Sequence, residues 1–177
     1  MDAYFDSAII VKLYVKEATS RDAIRLVSGY VTPYALTQWQ TLEVKNAIRL
    51  KAFRAEITAA EMNQSIAAFE QDIATGRWQR PAYTAATVEI KAEELSAGHS
   101  VTLGCRTLDI IHVAAALVLG IKDFVTFDGR QGALAKKVGL TAGHPRWRST
   151  PPGSPRSPEK GLQRDCKKSF VPCPIST

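Results

Sequence analysis

Short apolar runs alternate with longer stretches of helical hydrophobic period from residue 3 to about residue 140. Ala3-Tyr4-Phe5 is an apolar run ending at Asp6, the pattern of a short buried strand. Ser7 can cap a helix over 8–15, whose Ile9, Leu13 and Val15 suggest a buried face. A second helix is expected over 20–27, closed by Gly29, with a second strand at Tyr30-Val31. Thr32-Pro33 offers a capping hydroxyl and then proline at a first helical position, which predicts a long helix from there towards Phe53. Its positions Leu36, Trp39/Gln40, Glu43, Ala47 and Leu50 follow the helical period and put Glu43 among apolar neighbours.

Thr58-Ala59-Ala60-Glu61 has the form of a capping box and opens a helix to about Thr75, stopped by Gly76. A further helix is expected from Tyr83 to Ala97, ended by Gly98. Thr107 opens a very apolar helix, Leu108 to Leu119, stopped by Gly120. Asp123 to Phe127 reads as a strand, Asp128-Gly129 as its turn, and 131–138 as a short helix ended by Gly139. This alternation predicts an α/β domain with a mainly parallel sheet.

Composition changes the picture near His144-Pro145. Seven of the nine prolines lie beyond that point, among serines, glycines and basic residues with no hydrophobic period. Two parts are therefore expected: a folded domain over 1–144 and an irregular or disordered tail over 145–177. The tail also moves the charge. Its seven lysines and arginines against two acids give it +5, leaving +1 for the rest of a chain whose net charge is +6. Bulk charge is thus no argument that the body binds nucleic acid. The three cysteines, Cys105, Cys166 and Cys173, form neither a disulfide framework nor a zinc spacing. No stretch approaches the roughly 18–20 apolar residues of a membrane span, and Met1 to Asp6 does not read as a signal peptide, so a cytoplasmic protein without membrane contact is expected.

Four acids carry the candidate chemistry. Asp6 and Asp128 follow apolar strands, and the crevice beyond the carboxyl ends of parallel strands is where α/β sheets bind ligands. Asp109 lies in the first turn of an apolar helix, where the helix dipole favours an ionised acid. Glu43 is an acid on the inward face of its helix. Each has a plain structural reading: a cap, a dipole partner, a solvated helix residue, a turn. Converging carboxylates repel one another and raise one another's pKa, and a divalent cation removes that conflict. Oxygen ligands without histidine or cysteine favour Mg²⁺ or Mn²⁺ over zinc, and such an ion suits phosphodiester hydrolysis.

The segments Tyr4-Phe5-Asp6-Ser7-Ala8, Leu42-Glu43-Val44-Lys45-Asn46-Ala47-Ile48, Arg106-Thr107-Leu108-Asp109-Ile110-Ile111-His112-Val113-Ala114-Ala115-Ala116 and Phe124-Val125-Thr126-Phe127-Asp128 resemble the PIN domain in order and separation. The likeness covers about residues 1–142 and is greatest to VapC-type toxins of toxin–antitoxin pairs. It implies a PIN-like three-layer α/β/α fold and a Mg²⁺- or Mn²⁺-dependent endoribonuclease. Asp6, Glu43, Asp109 and Asp128 match the family's acidic, metal-holding positions. Ser7 and Thr126 match its hydroxyls beside the first and last acids, assigned to orienting carboxylates or water. The resemblance also implies a homodimer and inhibition by a small antitoxin. The tail has no counterpart in it.

Other side chains carry less. Arg106 can contact a substrate phosphate or pair with Asp109. His112, one turn after Asp109, reads as a buried structural histidine. Lys12 reads as a solvated lysine, with the groove as its alternative, and the three tryptophans form no visible stacking platform. Competing functions are a nuclease of RNA or DNA processing and a non-catalytic module acting only in a DNA-binding antitoxin complex. An aspartyl-phosphate hydrolase is disfavoured, because Asp6-Ser7-Ala8 lacks a second aspartate two residues on.

Overall fold

The computed structural model describes residues 1–142; the tail expected from 145 onward, and the boundary before it, lie outside the described residues. The chain is mixed α/β and its paired strands are parallel. β1 (Ala3–Phe5) pairs with β4 (Asp123–Val125), Ala3 opposite Asp123 and Phe5 opposite Val125, and β4 pairs in turn with β5 (Thr141–Ala142). A separate two-stranded sheet joins β2 (Tyr34–Ala35) to β3 (Trp78–Gln79). Parallel neighbours far apart in sequence need crossovers, and helices supply them: α1 (Ser7–Tyr14), α2 (Ser20–Val27), α3 (Gln38–Phe53), α4 (Ala59–Ala74), α5 (Ala85–Leu103), α6 (Thr107–Val118) and α7 (Gly129–Lys137).

The period-2 alternation of the strands splits the core. Ala3 and Phe5 of β1 and Val125 of β4 pack with Ile9, Ile10, Val44, Ile48, Phe69 and Trp78, from α1, α3, α4 and β3. Tyr4 and Phe124 point the other way, stacked on each other with ring centroids 5.6 Å apart, and pack with Val88, Leu95, Val113, Ala114 and Leu134 of α5, α6 and α7. Both faces of the β1–β4 pair are therefore buried, which is why these strands read as continuous apolar runs rather than half-polar ones.

Where local chemistry is complete, helices lie where the pattern puts them. The Thr58 capping box closes in both directions, with Thr58 Oγ1 accepting from the Glu61 amide and Glu61 accepting from Thr58 N–H, and α4 begins at Ala59. Elsewhere the expectations need correction. Thr32-Pro33 opens no helix; it precedes β2, and the helix starts at Gln38 under a second capping box between Thr37 and Gln40. No strand forms at Tyr30-Val31. The buried stripe of α3 is Gln40, Val44 and Ile48, so Leu50 is exposed and Glu43 lies at the edge of the stripe, its side chain 33% exposed. Gly98 does not end α5, which continues to Leu103 and is closed by Gly104 in the left-handed region at φ 62°. β3 and β5, two residues each, were not expected because two residues show no period.

Candidate active site

Asp6 follows the last residue of β1 and is the N-cap of α1; Ser7, expected to cap, is instead its first helical residue. The Asp6 side chain makes no cap bond to its own helix. Its N–H donates to Val125 O at 2.8 Å, which carries the β1–β4 pairing one step further, and its Oδ2 accepts from Thr126 Oγ1 at 3.1 Å. The carboxyl is held at the sheet's edge, only 8% exposed.

Thr126 binds two of the acids together. While its hydroxyl donates to Asp6, its oxygen accepts the N–H of Asp128 at 2.9 Å. Asp128 does not follow β4 directly, since Thr126 and Phe127 intervene. It caps α7, its Oδ1 accepting from the amides of Arg130 at 2.8 Å and Gln131 at 2.9 Å. Asp109 is half-buried in the first turn of α6, and its Oδ2 accepts from the Arg106 amide at 3.0 Å. The Arg106 side chain is exposed, and among the described residues it has no carboxylate within ion-pair distance. The expected Arg106–Asp109 contact is thus made by backbone, not by guanidinium.

Glu43 approaches from α3. Its Oε2 lies 2.6 Å from His112 Nε2, a residue 69 positions away. Behind the imidazole, Nδ1 lies 2.9 Å from the Tyr4 hydroxyl, which is 3.2 Å from Thr37 Oγ1. Ser7 Oγ is buried without a hydrogen bond of normal geometry, yet it lies close enough to Glu43 to help lower that acid's pKa. Lys12 is directed elsewhere, 2.5 Å from Glu17.

The electrostatics relate these groups to one another. Burial raises the Asp6 pKa, and the charges of Glu43 and Asp109 raise it further, against the nearby His112 and the Thr126 hydrogen bond. Burial also pushes Glu43 up, but the His112 hydrogen bond and the Ser7 hydroxyl outweigh it, and its pKa is lowered. The Cys105 thiol is pushed up by burial and then by Asp109 and Asp128. Asp6 therefore feels the charges of Glu43 and Asp109, Asp109 and Asp128 act on the same thiol, and Thr126 joins Asp6 to Asp128.

Compared with protein-family models and with curated proteins, the chain finds no match.

The donors in this region are oxygens of carboxylates and hydroxyls, the chemistry of a hard divalent cation. Among the described residues, however, no three histidines, cysteines, aspartates or glutamates stand close enough to form a ready-made ligand shell. Mg²⁺ does not require one: it keeps several waters and is commonly bound through one or two carboxylates. Asp6, an acid whose pKa is raised by burial and by two acidic neighbours, and which is linked to Asp128 through one hydroxyl, fits that mode.

Little in the sequence marks the groups behind Glu43. Thr37 and Gln40 have the spacing of a capping box, a readable signal overshadowed by Thr32-Pro33. Tyr4 sits in an apolar run and nothing local marks its hydroxyl as used. Of the tryptophans, Trp39 stacks on Tyr83 at 5.7 Å and Trp78 is buried with its indole N–H donating to Tyr14; Trp147 lies outside the described residues.

Proposed function

We propose that this chain is a Mg²⁺- or Mn²⁺-dependent endoribonuclease of PIN-like three-layer architecture, acting as the toxin of a type II toxin–antitoxin pair. The observation that carries the reading is Asp6: an acid kept at the edge of a parallel sheet, 8% exposed, with its pKa raised by burial and by the charges of Glu43 and Asp109. A fold keeps such a costly group where a cation offsets the repulsion. The likeness of four segments to the PIN pattern supports the same assignment.

In this reading the ion would sit among Asp6, Glu43, Asp109 and Asp128, bound through one or two of these carboxylates and its own waters. When bound, it supplies Lewis-acid polarisation of a phosphodiester and a more acidic water. Thr126 fixes the Asp6 carboxylate and the Asp128 backbone relative to each other. The amide of Arg106, the N-cap of α6, holds one oxygen of Asp109, and two amides of α7 hold one oxygen of Asp128. The exposed guanidinium of Arg106, at the start of α6, binds an RNA phosphate. The partners are an RNA substrate, a small antitoxin protein and a second copy of the chain, in the cytoplasm. Among the described residues no helix is long and apolar enough to cross a membrane.

The experiment is cleavage of RNA by the purified chain with Mg²⁺ or Mn²⁺, alongside EDTA, single-stranded DNA and Asp109→Asn. The expected result is metal-dependent RNA cleavage, abolished in the variant with its circular dichroism unchanged. Absence of RNA cleavage with either ion overturns the nuclease reading. Equal cleavage of DNA overturns the toxin assignment in favour of a processing nuclease.

A further inference from the structure

His112 is 1% exposed, and both of its ring nitrogens are committed. Its partner Glu43 is one-third exposed and reaches the surface. A buried imidazole and a buried phenol are thus committed to an acid at the edge of the core. Packing alone is served as well by apolar residues, because leaving a polar group in the core is favourable only when it is fully bonded.

The contacts form one continuous run. An ionised Glu43 only accepts, so His112 Nε2 carries the proton and donates to Oε2 at 2.6 Å. On the other side of the ring, Nδ1 lies 2.9 Å from the Tyr4 hydroxyl, which lies 3.2 Å from the Thr37 hydroxyl. Thr37 Oγ1 accepts the Gln40 amide at 3.3 Å, while the Gln40 side chain donates to Phe5 O at 2.6 Å. The run therefore begins at Glu43 and ends at Phe5, the residue before Asp6.

We propose that His112 is a positioning residue for Glu43, holding that carboxylate in register with Asp6 through the Tyr4–Thr37–Gln40 run. Its role in turnover rests on the nuclease reading above; the contact itself does not.

Two conservative variants separate positioning from packing. A glutamine amide at 112 reaches the place of Nε2 and keeps a donor for Glu43. An asparagine amide reaches only the place of Nδ1, so it keeps Tyr4 and loses Glu43. With the full chain, RNA turnover, KM for RNA, Mn²⁺ affinity by calorimetry and thermal unfolding are measured for both. Loss of an outer partner of a metal-binding group costs roughly 10–100-fold. His112→Asn is expected to lose that much in kcat and in Mn²⁺ affinity with KM for RNA unchanged, and His112→Gln to recover most of it. In a Glu43→Gln background, His112→Asn is expected to have no further effect on kcat.

Equal losses in the two variants, or full additivity with Glu43→Gln, overturn the proposal. If His112→Asn does not fold, Tyr4→Phe replaces it, and turnover in Tyr4→Phe equal to wild type overturns the proposal. If the wild type cleaves no RNA, the nuclease reading falls and the Mn²⁺ titration decides alone. Weak binding in His112→Asn restored in His112→Gln then sustains the positioning role; unchanged binding, or no Mn²⁺ binding by the wild type, overturns it.

Discussion

Asp6→Asn is expected to make the metal-free protein more stable at neutral pH while removing its activity. The Asp6 carboxyl is almost fully buried, and burial together with the charges of Glu43 and Asp109 raises its pKa above the ordinary 3.8. A raised pKa means that the folded state binds a proton more tightly than the unfolded chain. Stability is therefore lost as pH rises from the ordinary value through the folded one, and the loss is complete above it. Burying an ionised carboxylate costs several kcal/mol, and the nearby His112 and the Thr126 hydrogen bond return part of it, so the net penalty at neutral pH is about 1–3 kcal/mol. Asparagine has the same shape, keeps an oxygen for Thr126 and carries no charge. Urea denaturation in EDTA, at pH 7 and again near pH 4, measures the difference. The variant's advantage is expected at pH 7 and shrinks on acidification. Mn²⁺ at a hundred times its Kd then stabilises the wild type by about 2.7 kcal/mol and leaves the variant unchanged. A variant less stable than wild type at pH 7 in EDTA, or an advantage that does not shrink with acid, refutes the electrostatic argument. A wild type indifferent to Mn²⁺ refutes the metal assignment.

Two glycines of the α5 segment are expected to respond in opposite ways. Gly98 lies inside the helix with open space where an alanine methyl would sit, so Gly98→Ala should stabilise by about 1 kcal/mol; Gly104 sits at φ 62°, so Gly104→Ala should destabilise by about 1 kcal/mol, both read from thermal melts. Thr37→Ala removes the cap of α3 and the last hydroxyl of the run behind His112, and a loss of about 1–2 kcal/mol in urea titration is expected.

Elements were legible in the sequence where one local interaction decided them. Thr58 and Glu61 lie three residues apart and bond only to each other's backbone and side chain, so α4 needs no distant partner to start where it does. The runs Ala3-Tyr4-Phe5 and Asp123 to Phe127 announced strands, the second ending two residues earlier at Val125, and their parallel pairing follows from the helices between them. Where two local signals competed, the sequence did not rank them. Thr32-Pro33 and Thr37-Gln40 are both plausible helix starts, and Gly98 and Gly104 are both plausible ends. The observed choice follows the segment that must stay extended to pair Tyr34 with Trp78, and the residue whose backbone takes the left-handed turn.

The sequence by itself supplied the α/β alternation, most of the helices and the four acids as candidates. It could not say which of them share an environment. Asp6 meets Thr126 across 120 positions, and Glu43 meets His112 across 69. Neither separation has a local signature, because hydrophobic period reports which face of an element is buried and not what lies opposite. The tertiary structure alone turned Glu43 from an inward-facing acid into an edge acid fixed by a histidine. It also turned Thr126 into the hydroxyl joining two aspartates, since only packed elements bring such distant groups within a hydrogen bond.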